Sequence, residues 1–123
     1  MKVRVSFSPI AASAVLTVIT VQFDTKDLKF EDQDSVSTAS VAIYGRLSTM
    51  AKRPLSPFED VVTARHSTAF LLKFIAENPT RIYEKSLPLA PGSYRLNIAA
   101  KDLRSRNLGS YEMTIEVPQP AAL

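Results

Sequence analysis

Residues 87–102 constrain the fold of this chain more than any other stretch. They open with Pro88 and Pro91, which cannot donate to a sheet, and with Gly92, which can adopt the positive φ of a tight turn. Apolar side chains then alternate with polar ones at a period of two, and those on the apolar face are Tyr94, Leu96, Ile98 and Ala100. This pattern predicts a tight turn followed by a strand with one buried face.

Tyr94 stands two residues after the turn, at the start of this predicted strand. Immunoglobulin-like β-sandwiches place a tyrosine at such a position, where its hydroxyl bonds back to the preceding backbone as a tyrosine corner. We therefore expect the Tyr94 hydroxyl to bond to the backbone between Pro88 and Pro91. Nothing in the stretch indicates a reaction.

The same alternation predicts strands in the rest of the chain. A short pattern at residues 3–7 indicates an edge strand that Pro9 ends, and residues 15–23 are apolar on both faces, as expected near the centre of a sheet. Further strands are predicted at residues 36–47, 58–66, 81–87 and 111–117. In the last turn, residues 104–109, Asn107 or Gly109 is expected to take the left-handed conformation.

Residues 67–77 are the only predicted helix. Ser67 can cap the first turn, and Asn78 and Pro79 must end the helix because the residue before a proline disfavours helical geometry. An apolar stripe at helical spacing is formed by Phe70, Leu71, Phe74 and Ile75. We expect the stripe to pack on the core of the domain, and a partner-binding face built on Phe70 and Phe74 is the alternative.

These elements predict an all-β fold, an immunoglobulin- or fibronectin-III-like antiparallel β-sandwich of about seven or eight strands with at most one short helix. A chain of 123 residues is sufficient for a single core. We expect one domain over residues 1–118 and a frayed tail over residues 119–123.

Composition excludes several classes of function. The chain has no cysteine, which excludes disulfides, thiolate metal sites and a cysteine nucleophile. Its basic side chains are mostly isolated, so no nucleic-acid partner is expected. The apolar run at residues 10–21 contains hydroxyl residues and is too short to span a bilayer, which favours a buried strand and predicts no membrane span.

Three separated stretches resemble a known bacterial family. They are VITVQF (18–23) with KDLKF (26–30); IYGR (43–46) followed by FED (58–60); and PLAPGSYRLNI (88–98) with KD (101–102) and LGSYE (108–112). Together they resemble the C-terminal β-rich domain of bacterial, mainly acidobacterial, GWxTD domain-containing proteins, over about residues 14–118. The resemblance implies a fragment of a larger exported or cell-envelope protein. The chain contains no tryptophan, so the motif that names the family is absent and no activity is carried over.

Two groups of residues suggest chemistry at first sight. Five carboxylates fall within residues 24–34, namely Asp24, Asp27, Glu31, Asp32 and Asp34, but the stretch has no glycine and no EF-hand spacing. We expect solvated turns there, with a calcium site as the alternative.

His66, Ser67 and Asp60 suggest a catalytic triad, but neighbouring residues of a strand point to opposite faces, so His66 and Ser67 are poor partners.

No catalytic, cofactor-binding or metal-binding residue is therefore expected. Lys101, Arg104 and Arg106 are expected to be solvated at a loop tip, although an acidic partner or a lipid headgroup is the alternative. We expect a non-catalytic protein-interaction or structural module. The alternative is an accessory domain that positions substrate or partner for an enzymatic region elsewhere in a larger protein.

Two surfaces are predicted to dock a protein partner or to support self-association through an edge strand. They are the strand at residues 3–7 and the connection at residues 48–57. Both carry basic side chains that favour an acidic partner, namely Arg4, Lys52 and Arg53.

Overall fold

A computed structural model of the protein describes residues 1–55 and 57–120, and they form two antiparallel sheets. The smaller sheet has the order β1–β2–β6, with β1 (Lys2–Ala11), β2 (Ala14–Asp24) and β6 (Thr80–Leu89). The larger sheet holds β3 (Glu31–Gln33), β4 (Val36–Thr49), β5 (Phe58–Ser67), β7 (Gly92–Asp102) and β8 (Leu108–Val117). The predicted all-β antiparallel sandwich is confirmed.

Strand β4 is the central strand of the larger sheet. One of its edges pairs with β5, and the other pairs first with β3 and then with β7, which in turn pairs with β8. At one level of the sheet, Gly45 of β4 faces Phe58 on β5 and Ile98 on β7, and Ile98 faces Tyr111 on β8. This register decides which side chains share a face.

The core lies between the two sheets and follows the predicted alternation. Ile43 and Leu47 of β4 are buried, whereas the intervening Tyr44 and Arg46 are exposed on the outer face. The core cluster is completed by buried residues of the other strands, among them Val15, Ile19, Val21, Leu96, Ile98, Ile115 and Val117. Each fully buried aliphatic side chain contributes about 1.5–3 kcal/mol.

Strand β2 is the middle strand of its sheet, as its apolar composition predicts. Its inward side chains, such as Ile19, are fully buried, while outward ones, such as Val18, are only half-buried. The second face is therefore not covered by another layer. The β-branched residues on that face are explained by their preference for strands, since β2 is paired along both edges.

Two prolines that were expected to end strands lie inside them. Pro9 lies within β1, opposite Val15, and Pro88 lies within β6, opposite Leu16. Both strands are edges of the smaller sheet, where a missing N–H can face away from the only partner. Strand β1 therefore continues past the predicted end, with a shift of register between Pro9 and Ala11.

The turns use left-handed residues that the sequence identifies only in part. Asp34 and Ser35 both have positive φ, 51° and 65°, and form a two-residue hairpin turn between β3 and β4. In the last turn the left-handed residue is Arg106, with φ 65°, so the expectation of Asn107 or Gly109 is wrong. Gly92 has positive φ, as expected.

The carboxylate of Asp102 fixes this last turn. Asp102 is 7% exposed, and its Oδ1 accepts the backbone N–H groups of Arg104 and Ser105 at 2.9 and 3.2 Å. Its Oδ2 accepts the backbone N–H of Lys29 at 2.8 Å. One side chain thus holds the β7–β8 turn and ties the segment before β3 to it. The turn then closes with the backbone of Arg106 in the left-handed conformation.

The helix is shorter than predicted and packs less well. A 3₁₀ turn, Thr68–Phe70, precedes the α-helix α1 (Leu71–Glu77), and Ser67 is the last residue of β5 and makes no capping bond through its side chain. Phe74 is half-buried, but Phe70 is 61% exposed. The expected packing of the whole stripe on the core is therefore wrong, because the helix covers only the end of β5.

The predicted tyrosine corner is confirmed. The Tyr94 hydroxyl donates to the carbonyl oxygen of Ala90 at 2.7 Å, and the side chain is 8% exposed. The bond spans the turn between β6 and β7 and so fixes the point at which the chain crosses from one sheet to the other.

We predict that Tyr94→Phe lowers the free energy of unfolding by about 1–3 kcal/mol, because the Ala90 carbonyl loses its donor in a part-buried site. Urea denaturation measures the change. Tyr111→Phe is the matched control, since Tyr111 is 40% exposed, and it should alter stability by less than about 0.5 kcal/mol. Equal midpoints for the Tyr94 variant and the unmodified chain would contradict the role of the corner.

Candidate functional site

The structure does not bring together the three residues that suggest a catalytic triad. Asp60 and His66 both lie on the inward row of β5, opposite Ile43 and Ser37 of β4. They are six residues apart, which corresponds to about 20 Å along a strand. Ser67 is exposed on the opposite face. The three side chains therefore share no site.

Asp60 takes part instead in a link between the two sheets. The Tyr83 hydroxyl of β6 donates to its carboxylate, and Arg81 Nη2 of β6 donates to the Thr63 carbonyl at 3.3 Å. Lys85 Nζ lies 5.8 Å from the centroid of the Phe58 ring, within range of a cation–π contact. Side chains thus join β5 to β6 along one side of the sandwich.

Burial raises the pKa of Tyr83 well above its ordinary value, and the hydrogen bond to Asp60 and the charge of that carboxylate add to the effect. Tyr83 is 7% exposed, so its phenolate would be poorly solvated as well as repelled by Asp60. The hydroxyl therefore remains a donor, which is the role that the link between the sheets requires.

His66 contributes to a contact between β5 and the helix. Its ring stacks on Phe74, with centroids 4.4 Å apart and 25° between the planes. On β4, the Ser37 hydroxyl opposite His66 donates to Asp32 and lies 3.0 Å from the Thr68 hydroxyl. Ser37 has no exposed surface, so its hydroxyl cannot reach a substrate, and these bonds hold the end of the sandwich together.

The five acidic residues of 24–34 are all exposed to solvent, as predicted, but two of them also bond to other parts of the chain, and Glu31 and Asp32 lie in β3 rather than in a turn. Asp32 accepts the bond from Ser37, and Glu31 Oε2 lies 3.2 Å from Nε of Arg104. Within residues 1–55 and 57–120, no group of three or more histidine, cysteine, aspartate or glutamate side chains is arranged to hold a metal ion. Arg104 is likewise engaged by Glu31, so this part of the basic loop tip is an ion pair rather than free charge.

Strand β1 has one open edge, as predicted. It pairs with β2 from Lys2 to Ala11, and no strand of the described part of the chain pairs with its other side. Phe7 is 36% exposed and Ile10 is 56% exposed. The strand therefore offers an unpaired row of backbone groups together with apolar surface.

In the described part of the second predicted surface, residues 48 and 49 end β4, and residues 50–55 continue as a short folded loop. The Thr49 N–H donates to the Arg53 carbonyl at 2.9 Å, and Ser48 forms an isolated bridge with Pro54. Lys52 has a φ of 63° and is exposed, as is Arg53. Residue 56 lies outside the described residues, as do residues 121–123 of the predicted tail.

Sequence reasoning missed two buried polar residues that organise the structure, Asp102 and Ser37. A signal for Asp102 was present, because aspartate is favoured at the start of turns, where its carboxylate bonds to the backbone two residues on. Ser37 gives no such signal. Its partners, Asp32 and Thr68, are assembled only by the hairpin and by the start of the helix.

Comparison with known proteins shows a likeness of fold. No protein-family model matches the chain, and no curated protein sequence matches it. Among solved structures, the β-glucuronidase of Bacteroides uniformis superposes with a TM-score of 0.64 at 8% identity, over 94% of this chain and 13% of that chain. A glycosyl hydrolase family 2 member from Bacteroides cellulosilyticus gives 0.58 at 11% identity, over 94% and 14%.

These matches define the class of protein as a β-sandwich domain. The chain spans about one-seventh of the length of the two enzymes, and the identities show the fold alone. Across the described residues, no helix has the length and apolar character needed to cross a membrane.

We predict that stability falls as pH rises above about 10, the ordinary pKa of tyrosine. Above that pH the unfolded chain loses the Tyr83 proton, whereas the folded chain, with its raised pKa, keeps it. Tyr83→Phe should lower stability at neutral pH by about 1–2 kcal/mol and should make the alkaline loss shallower.

Urea denaturation at a series of pH values up to about 11 measures both effects on Tyr83→Phe. Tyr111→Phe serves as the control for the removal of a phenol, and its stability curve should run parallel to that of the unmodified chain. If the Tyr83→Phe curve is also parallel, the link to Asp60 has no energetic role.

Proposed function

We propose that the chain is a non-catalytic β-sandwich module that binds a protein partner along the open edge of β1. The unpaired edge is the observation that carries this proposal. An extended segment can add to such an edge through backbone hydrogen bonds, while alternate side chains supply specificity.

The use of the polar interior supports a non-catalytic role. Asp60 is bonded to Tyr83, Asp102 to three backbone N–H groups, and Ser37 to Asp32. An active site needs an activated group in a concave site that substrate can enter. These polar groups are bonded to one another or to the backbone, and they stabilise the sandwich.

The first half of β1 is the better docking segment. Lys2 and Arg4 place positive charge there, whereas Pro9 and the register shift interrupt the edge beyond it. An acidic strand is therefore favoured over a basic one. The edges of β5 and β6 are less suitable because side chains of the two strands already bond to each other.

The order of the strands supports the immunoglobulin- or fibronectin-III-like arrangement, with β1–β2–β6 facing β5–β4–β7–β8. The resemblance to GWxTD domain-containing proteins adds the expectation of an exported or cell-envelope protein. The Bacteroides enzymes that share the fold are also bacterial proteins.

A second candidate function is that of an accessory domain in a larger carbohydrate-active enzyme. The specific observation in its favour is that this fold forms about one-seventh of two glycosyl hydrolases, each several times longer than this chain. In that setting the sandwich would position substrate or partner for a catalytic region elsewhere in the protein.

We predict that an acidic peptide of alternating glutamate and valine binds at β1. In ¹⁵N NMR titrations, the amide resonances of Lys2 to Phe7 should shift most. Arg4→Glu should weaken binding by about fivefold or more, because it reverses a charge beside the docked strand. Arg65→Glu, which makes the same change at an exposed position of β5, is the matched control and should leave the affinity unchanged.

Sedimentation velocity over a range of protein concentrations tests the alternative of self-association through the same edge. If the peptide does not perturb β1 and the chain remains monomeric at the highest concentration, docking at β1 is ruled out.

A further inference from the structure

The outer face of the larger sheet carries a groove of about 560 Å³ that no predicted site includes. It crosses β5, β4, β7 and β8 at the level where Gly45 pairs with Ile98. Its lining is mixed apolar and polar, and it includes Tyr44, Arg46, Glu59, Asn97, Ala99, Ser110, Tyr111 and Glu112.

Strand register arranges these side chains in two adjacent rows. In the first row, Ala99 of β7 pairs with Tyr44 on one side and with Ser110 on the other. Because alanine is small, it leaves a depression beside Tyr44, a residue that is 40% exposed. In the second row, Asn97 pairs with Arg46 and with Glu112. The groove therefore has an aromatic wall next to a row of polar groups.

The polar side chains that line the groove are open to solvent, since Arg46, Glu59 and Glu112 are exposed and Asn97 is half-buried. Glu112 Oε1 lies 3.1 Å from Arg95 Nη1 in an exposed ion pair. Among the described residues, Arg46, Asn97 and Glu59 form no side-chain hydrogen bond or ion pair with another part of the chain. A guanidinium, an amide and a carboxylate thus offer donors and acceptors to a ligand.

The charges of the groove offset one another. Arg46 is balanced by Glu59, and Glu112 is paired with Arg95. The lining therefore lacks the excess of positive charge that recognition of a phosphate or a nucleic acid requires. The complementary ligand is uncharged, rich in hydrogen-bonding groups, and has one apolar face to lay against a tyrosine.

We propose that this groove binds a neutral saccharide, with a sugar ring against Tyr44 and neighbouring hydroxyls bonded to Arg46, Asn97 and Glu112. The C–H face of a pyranose ring suits the electron-rich face of an aromatic side chain. Each planar polar group can bond to two adjacent hydroxyls. The groove lies on the sheet that does not contain β1, so this site goes beyond the docking proposed there and does not depend on it.

The test is a ¹⁵N NMR titration of the whole chain with four neutral hexasaccharides at millimolar concentration: cellohexaose, xylohexaose, mannohexaose and maltohexaose. At least one should shift the amide resonances of the strand segments that line the groove and leave those of β1 unchanged. Tyr44→Ala and Asn97→Ala should each weaken its binding by about tenfold or more, because each removes a contact without touching the core.

Ile82→Ala is the matched control, since Ile82 is 58% exposed on the smaller sheet, and it should bind as the unmodified chain does. The ¹⁵N spectra of the variants report whether each is folded. The proposal is overturned if none of the four saccharides shifts the groove resonances or if Tyr44→Ala binds unchanged. Binding of inorganic phosphate at the groove in place of sugar would also overturn it.

Discussion

The structure depends on the double pairing of β4, the strand that joins β5 to β7 in the larger sheet. Its inward row, which includes Ile43 and Leu47, fills the core, and its outward row, Tyr44 and Arg46, forms one wall of the groove. A shift of register by one residue would exchange these two rows. The hydrophobic alternation that stabilises the core therefore also positions the surface that we propose to bind saccharide.

Polar groups inside the sandwich act as links between elements. Tyr83 and Asp60 join the two sheets, and Asp102 holds two loops through backbone bonds. A buried polar group without a partner costs about 1–3 kcal/mol. Removing one member of such a pair therefore lowers the free energy of unfolding by more than the net contribution of the hydrogen bond. With these groups engaged in the fold, the surfaces that we propose for recognition are the outer face of β4–β7–β8 and the open edge of β1.

Much of the fold could be predicted from local sequence. Period-two alternation identifies β4, β7 and β8, and the apolar composition of residues 15–23 identifies β2. The spacing of Tyr94 from the turn predicts the corner that the bond to Ala90 confirms. Pro9 and Pro88 were misread because only the order of the strands reveals that both lie on sheet edges. The groove was missed because Tyr44, Ala99 and Ser110 become neighbours only through pairings of distant strands, and local sequence does not contain their register.

The central claim, a sandwich closed by its internal links and open for binding at β1, is tested most directly by amide hydrogen exchange followed by NMR. Strands β2, β4 and β7 have a neighbouring strand on both sides over most of their length, and their doubly paired segments should show the greatest protection. In β1, alternate amides that point away from β2 should exchange at rates close to those of an unstructured peptide. Uniform protection along Lys2–Ala11 would show that the edge is already covered and would contradict the account.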